Sequence, residues 1–501
     1  MFKVSNYFCS PLPSIKPKSS TFLKQLILSF LGFFILSFSL TSSNISATER
    51  NPGGQHTHQK PASRFSFSHP SPALSMDKRL DFYVGKAIFE KIWVFAPSST
   101  TASDGLGPLY NARSCVRCHK GNGRGMIEGN KSSSPALFLR LSIPPATAEH
   151  RALLASGKVG FITEPTYGKQ LQTFAHPGGK AEGQLEVQYK PIKIGLNGGD
   201  IIEIQQPSYH ISDLGYGPIH HNFLLSPRIA PPIFGLGLLE AIDENDIFKL
   251  ADSDDKNNDG ISGKANIVWD KKTKTSKLGR FGWKAGTPFL EQQNNAALSG
   301  DLGISSWMFP QHHGECTKRQ TACLQQKHGN MRRDKPKQDM LEASRVMTDL
   351  LLYYTRNIAV PSVRLINDLD RKKGKELFYK AGCQKCHQPS FTTGKFSEQT
   401  SLESQTIWPY SDLLLHDMGI DLADNRSEFL ANGQEWRTPP LWGIGLTKTV
   451  SGGTFYMHDG RARSLIEAIL WHGGEAESAK QMIIKMNNKQ RKQLISFLES
   501  L

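Results

Sequence analysis

The chain has 501 residues, 38% apolar and 21% charged, enough for two or three domains with full cores and too polar for a membrane bundle. Its net charge of +15 falls to about +11 without the first 47 residues, which hold four Lys and no acid. With neither a basic stripe nor a nucleic-acid motif, nucleic acid is not an expected partner.

Lys3, Lys16, Lys18 and Lys24 precede a nearly unbroken apolar run from Leu26 to Leu40, and small polar residues follow from Thr41 to Ala47. This is the layout of a secretory signal over residues 1–47, so the expected location is the periplasm. A retained anchor is the alternative, although a run of about 15 residues is short for a bilayer. Residues 48–79, rich in Ser, Pro, His and Gln, read as a flexible linker in which His56 and His58 are polar spacers.

From Leu80, "LDFYVGKAIFEKIWV" has helical spacing of apolar residues. It leads to Cys115-Val116-Arg117-Cys118-His119, and "RKKGKELFYKAGC" leads in the same way to Cys383-Gln384-Lys385-Cys386-His387. Each pentad is a Cys-x-x-Cys-His pattern for covalent c-type haem. Two thiols add across the porphyrin vinyl groups and the adjacent imidazole reaches iron from below. A zinc ribbon needs its two cysteine pairs close in sequence, and these lie far apart. Gly85-Lys86-Ala87-Ile88-Phe89 and Gly374-Lys375-Glu376-Leu377-Phe378 match each other ahead of the two pentads, so the pattern predicts two related cytochrome c-like units.

Of seven cysteines, Cys9 leaves with the leader and four belong to the pentads. Cys316 and Cys323 remain, spaced for a structural disulfide in an oxidising compartment, with two free thiols as the alternative.

Between the pentads, residues 136–143, 184–194 and 200–211 alternate like strands, and 234–251 reads as a helix. Asp255, Asn257 and Asp259, followed by Gly260, resemble the first half of a Ca²⁺ loop. Position twelve is Asn266 instead of a bidentate Glu, so an acidic surface turn is an equal reading. Trp283 sits among glycines and cations, either as core packing or as an aromatic between two redox centres. Beyond the second pentad, Ser464 to Trp471 reads as a helix stopped by Gly473-Gly474, and a basic amphipathic helix follows from Lys480.

"GLGPLYNARSCVRCHKGNGRG", "SPRIAPPIFGLGLLEAI", "LGRFGWKAG", "WRTPPLWGIGLT" and "HDGRARSLIEAILWHGGEA" together resemble the di-haem oxidoreductases, sometimes labelled thiol oxidoreductases and related to bacterial di-haem cytochrome c peroxidases. The resemblance covers roughly residues 80–495. It implies a mainly α fold: an N-terminal haem domain over 80–345 with a β-rich insertion, and a C-terminal haem domain over 346–501. Two haem c groups are implied, with Ca²⁺ at the interface as a further expectation.

By the same resemblance, electrons from a small cytochrome c or cupredoxin enter at the haem on His387. They pass to the haem on His119, where peroxide or another small oxidant reacts. Homodimers among relatives make a homodimer the expectation here. Where relatives carry Met or Tyr as the second haem's sixth ligand, this chain has His472, with Met418, Met457 and His458 as fallbacks. Replacing thioether by imidazole lowers the haem potential. Glu203, Glu240 and His210 are the candidates for the distal side of the first haem, the two glutamates as catalytic acid–base groups. Arg437 is the candidate partner of a haem propionate. A different class of function also fits: an electron-transfer cytochrome whose irons are both six-coordinate, for instance through His210.

Overall fold

A helix crossing occurs twice in this chain, each time built on the same short repeat. The computed structural model describes residues 49–127, 134–329 and 340–501. The expected signal segment lies outside them. Helix α1 (Met76–Glu90) packs on α2 (Arg345–Arg356), and α3 (Leu369–Lys380) packs on α4 (Asn488–Ser500). Gly85 makes the first crossing close: a Cβ there would lie 2.2 Å from the Leu350 carbonyl oxygen. Gly374 does the same in the second, where a Cβ would lie 1.9 Å from the Gln493 oxygen. Four residues on, Phe89 and Phe378 are buried on the inner helix face and pack at 6.2 Å and 6.4 Å from the rings of His119 and His387. The repeat is therefore a packing device: glycine for helix approach, phenylalanine against the histidine.

The expected boundary at 345/346 falls at the start of the first crossing's second helix. Since α2 packs on α1, a division at 345/346 would cut a helix of the first haem unit from its partner. The cores do not follow that division either. One gathers Phe82, Phe89, Leu351 and Tyr354 with Phe391, Ile407 and Trp442, and the other gathers Phe378, Phe497 and Leu494 with Ile204, Ile229 and Trp283.

The mainly α expectation is overturned: the chain is 31% helical and 19% strand, in many small sheets. Helices here are short because Gly, Pro and Asx residues interrupt them, and the alternating segments form real strands. The longest are β1 (Gln184–Gly195) and β2 (Ile201–Ser212), an antiparallel hairpin in register from Gln184↔Ser212 to Gly195↔Ile201. Leu137–Ser142 pairs antiparallel with Leu224–Ile229, and this carries the chain toward the first pentad's histidine. The helix expected over 234–251 splits into Leu236–Glu240 and Glu244–Phe248, because the Asp243 side chain accepts the Asn245 N–H and starts a new helix. The C-terminal helix also divides, into Glu477–Lys485 and α4, where Asn487 and Gln490 form a capping box.

Residues 49–79 are not a free linker. Thr57–His58 pairs in parallel with Val360–Pro361, His56 and His58 are buried, and Phe67 stacks on Phe234. Glu49 is buried with Arg371 at 2.9 Å, Lys375 at 2.6 Å and the Tyr410 hydroxyl at 2.8 Å. Composition hides this because the segment packs with few apolar side chains and many polar bonds. Among the described residues, no helix is long and apolar enough to cross a membrane.

Candidate haem site

Each pentad opens on a single helical turn, Cys115–Cys118 and Cys383–Lys385, and the histidine follows as the turn ends. His119 Nδ1 bonds the Pro231 carbonyl at 2.7 Å, and His387 Nδ1 bonds the Tyr410 carbonyl at 3.0 Å. A carbonyl only accepts, so in both rings Nδ1 carries the proton and Nε2 keeps the lone pair a metal needs. Burial holds both imidazoles neutral, with pKa values down at about 4. None of the four cysteines forms a disulfide. Burial pushes Cys115 and Cys383 up to about 12, and the Asp301 carboxylate adds to the effect at Cys115.

Cys383, Cys386 and His387 line a cavity of about 350 Å³, and His472 lines it with them. His472 Nδ1 bonds the Ala468 carbonyl at 2.7 Å, so its tautomer repeats that of His387. Two buried guanidiniums complete the wall. Arg437 donates to the Gly282 and Thr438 carbonyls, each at 3.0 Å, and Arg124 donates to the Met457 carbonyl at 3.1 Å. Burial lowers both to about 10. Neither has a carboxylate within ion-pair distance among the described residues, which is the condition in which a buried cation requires an anion. Haem propionates would answer that requirement. Two cysteines, two imidazoles whose Nε2 atoms keep their lone pairs and two buried cations without ion pairs around one cavity fit a haem.

The fallback ligands share this wall but are differently placed. His458 stacks on Trp436 at 3.7 Å and its backbone oxygen holds the Ile229 N–H, while Met418 and Met457 are partly buried against the same core. His416, also on the wall, bridges Asp412 at 2.7 Å and Glu475 at 2.6 Å beside Cys386. Burial opposes its charge, but the two carboxylates outweigh burial and raise its pKa well above the usual value.

Trp283 connects the two histidine sites. It lines the cavity, and its Nε1 donates to the Ile229 carbonyl at 2.8 Å. Two residues on, Pro231 accepts from His119.

The distal candidates at the first pentad are not brought to it. Glu203 is exposed on β2, where its carboxylate accepts from Gln205, and His210 is exposed on the same strand opposite Glu186. Glu240 is buried, but one oxygen accepts the Leu290 N–H at 2.9 Å and the other pairs with Arg356 at 2.6 Å. Both of its oxygens are thereby engaged within the fold. The acid that acts on this pentad is Asp301, raised by burial and held by Gln170 at 2.8 Å. It ends a helix in the insertion, and no local pattern marks it in sequence. Arg124 was legible only as part of "KGNGRG".

In the acidic loop, Asp255 accepts the N–H groups of Asp259 and Gly260, Asn257 accepts that of Asp259, and Asp259 accepts that of Ile261. The Lys385 ammonium stands 3.1 Å from Asp259. Asn266 turns inward to the Lys284 and Glu428 carbonyls. These oxygens close Asx turns of their own loop.

A family model described as "Di-haem oxidoreductase, putative peroxidase" matches residues 46–501. The chain belongs to this family. Among curated proteins none matches it. A solved structure of Kuenenia stuttgartiensis hydrazine synthase, pressurised with 20 bar xenon, is similar at 18% identity. The likeness covers 32% of this di-haem oxidoreductase and 56% of that chain, with a TM-score of 0.21.

Proposed function

We propose that this di-haem oxidoreductase is an exported, peroxidase-type enzyme with haem c attached at Cys115/Cys118 and Cys383/Cys386. Haem at these two sites supplies one-electron redox chemistry, tuned by the axial ligands and by burial. The observation that carries the reading is the asymmetry between the sites. The second pairs His387 with His472 across one cavity, whereas His210, the sixth ligand of the electron-carrier reading, is exposed on a hairpin.

Electrons enter at the His387 site from a small cytochrome c or cupredoxin and leave toward the His119 site. The bonded sequence Trp283–Ile229–Pro231–His119 is the route between them. Hydrogen peroxide there takes up two electrons and two protons to give two waters. His119 and His387 hold their Nδ1 protons on carbonyls, and Arg124 and Arg437 hold anionic groups in the second cavity. Export to the periplasm is supported by the leader layout and by the Cys316–Cys323 disulfide, with Cα atoms 6.2 Å apart. A homodimer is part of the proposal by analogy with relatives.

Low-temperature EPR of the holo-protein poised half-reduced, with and without peroxide, tests this. A high-spin signal that disappears on adding peroxide is expected. Low-spin signals indifferent to peroxide would replace the enzyme by an electron carrier.

A further inference from the structure

Glu342 is buried with its side chain 0% exposed, and its ion partners are two histidines. His312 Nδ1 lies 2.9 Å from Oε2, and His328 Nδ1 lies 4.0 Å from Oε1. The carboxylate is aimed by its own surroundings. The Ser305 N–H donates to Oε2 at 3.1 Å, the Glu342 N–H donates to Ser305 Oγ at 3.0 Å, and a Cβ on Gly105 would meet Glu342 Cγ at 2.1 Å. A buried carboxylate needs a cation. The two imidazoles stack face to face at 4.2 Å and 5°, so charging both places like charges in contact.

From this geometry we propose that His312, His328 and Glu342 form a binding site for a divalent transition metal of the zinc class, separate from both haem sites. The three ligand atoms lie within 4.8 Å of one another. Around Zn²⁺, with bonds of about 2.0–2.2 Å, tetrahedral ligands stand roughly 3.3 Å apart, so small side-chain adjustments seat the ion. Two imidazoles and one carboxylate suit Zn²⁺ and its neighbours in the first transition row. Ca²⁺ and Mg²⁺ prefer all-oxygen shells. The fourth position falls to water or a small anion.

The ion would fasten a loop. His312 lies ahead of the Cys316–Cys323 disulfide and His328 beyond it, while Glu342 rests on Ser305. Ser305 follows the helix that ends near Asp301, the acid acting on Cys115 and Cys118. The disulfide thus closes a small loop nested inside the one that a metal on His312 and His328 would close. The site does not depend on peroxidase activity.

The test uses full-length holo-protein stripped with chelator and equilibrated with ZnCl₂, with zinc counted against haem iron by mass spectrometry. One zinc per two irons is expected, together with a zinc-dependent rise in Tm. His328→Ala and His312→Ala should each weaken zinc binding about 100-fold and abolish the Tm rise. Unchanged haem content and Soret spectra would show that the variants fold. His220→Ala, in the stacked pair with His221, should bind zinc like the parent. Both rings are partly exposed, so both variants are expected to fold. A parent that binds no zinc, or folded His312 and His328 variants that still bind it like the parent, would overturn the assignment.

Discussion

His387 and His472 line the same cavity in the same tautomer, each with its Nδ1–H on a backbone carbonyl, Tyr410 at 3.0 Å and Ala468 at 2.7 Å. Both rings are therefore oriented before any metal arrives, and each presents Nε2 as its free donor. On the proposed reading, a haem held by both rings would be a bis-imidazole centre, with a lower potential than a His/Met one. His472→Met should raise that potential and leave the first haem unchanged, as read by spectroelectrochemical titration. An unchanged second potential would mean that His472 is not a ligand.

Arg124 and Arg437 are buried cations that make no ion pair among the described residues, and the proposed function gives them the haem propionates as partners. Arg437→Gln should lower stability of the holo-protein by about 1.5–3 kcal/mol, the scale of a hydrogen bond to a charged group. Urea denaturation of holo-protein reads this. Equal stability would leave the propionates with other partners.

Trp283→Phe keeps an aromatic in the core but removes the Nε1 bond to Ile229. Stopped-flow mixing with peroxide should show slower oxidation of the reduced second haem, with both potentials unchanged. An unaltered rate would make Trp283 a packing residue only.

Gly85→Ala and Gly374→Ala each force a Cβ against a backbone carbonyl of the crossing helix. Each should cost about 1–3 kcal/mol. The first should disturb the absorbance of the His119 haem and the second that of the His387 haem, because the displaced helix carries the phenylalanine packed on that ring. Low-temperature spectra separate the two.

His58 donates Nε2–H to the Ser66 carbonyl at 2.7 Å and accepts the Lys60 N–H on Nδ1, so its neutral form is the one the fold uses. Burial holds its pKa down at about 4 against an ordinary 6.5. The unfolded segment takes the proton first. The contribution is therefore full above about 6.5 and shrinks as pH falls toward 4, by about 3 kcal/mol at most. Protection factors across residues 49–75, that is exchange referred to the intrinsic rate at each pH, should fall as pH drops through that window in the parent. His58→Asn should flatten the dependence, and a parent profile without pH dependence would contradict it.

Residue chemistry with a fixed local span was legible in the chain by itself. Both Cys-x-x-Cys-His pentads, the Gly-Lys repeat ahead of them, the β1–β2 hairpin and the Cys316/Cys323 pair depend on neighbours a few positions apart, and the family follows from such stretches. Tertiary structure decided what depends on distant partners. The partners of Glu240, Arg356 and the Leu290 N–H, lie far from it in sequence and could not be read there. Residues 49–79 read as a linker until Glu49 meets Arg371 and Tyr410. Arg124, Asp301 and the His312–His328–Glu342 cluster carry no local pattern, because burial and charge pairing arise only when segments tens to hundreds of residues apart are brought out of water together.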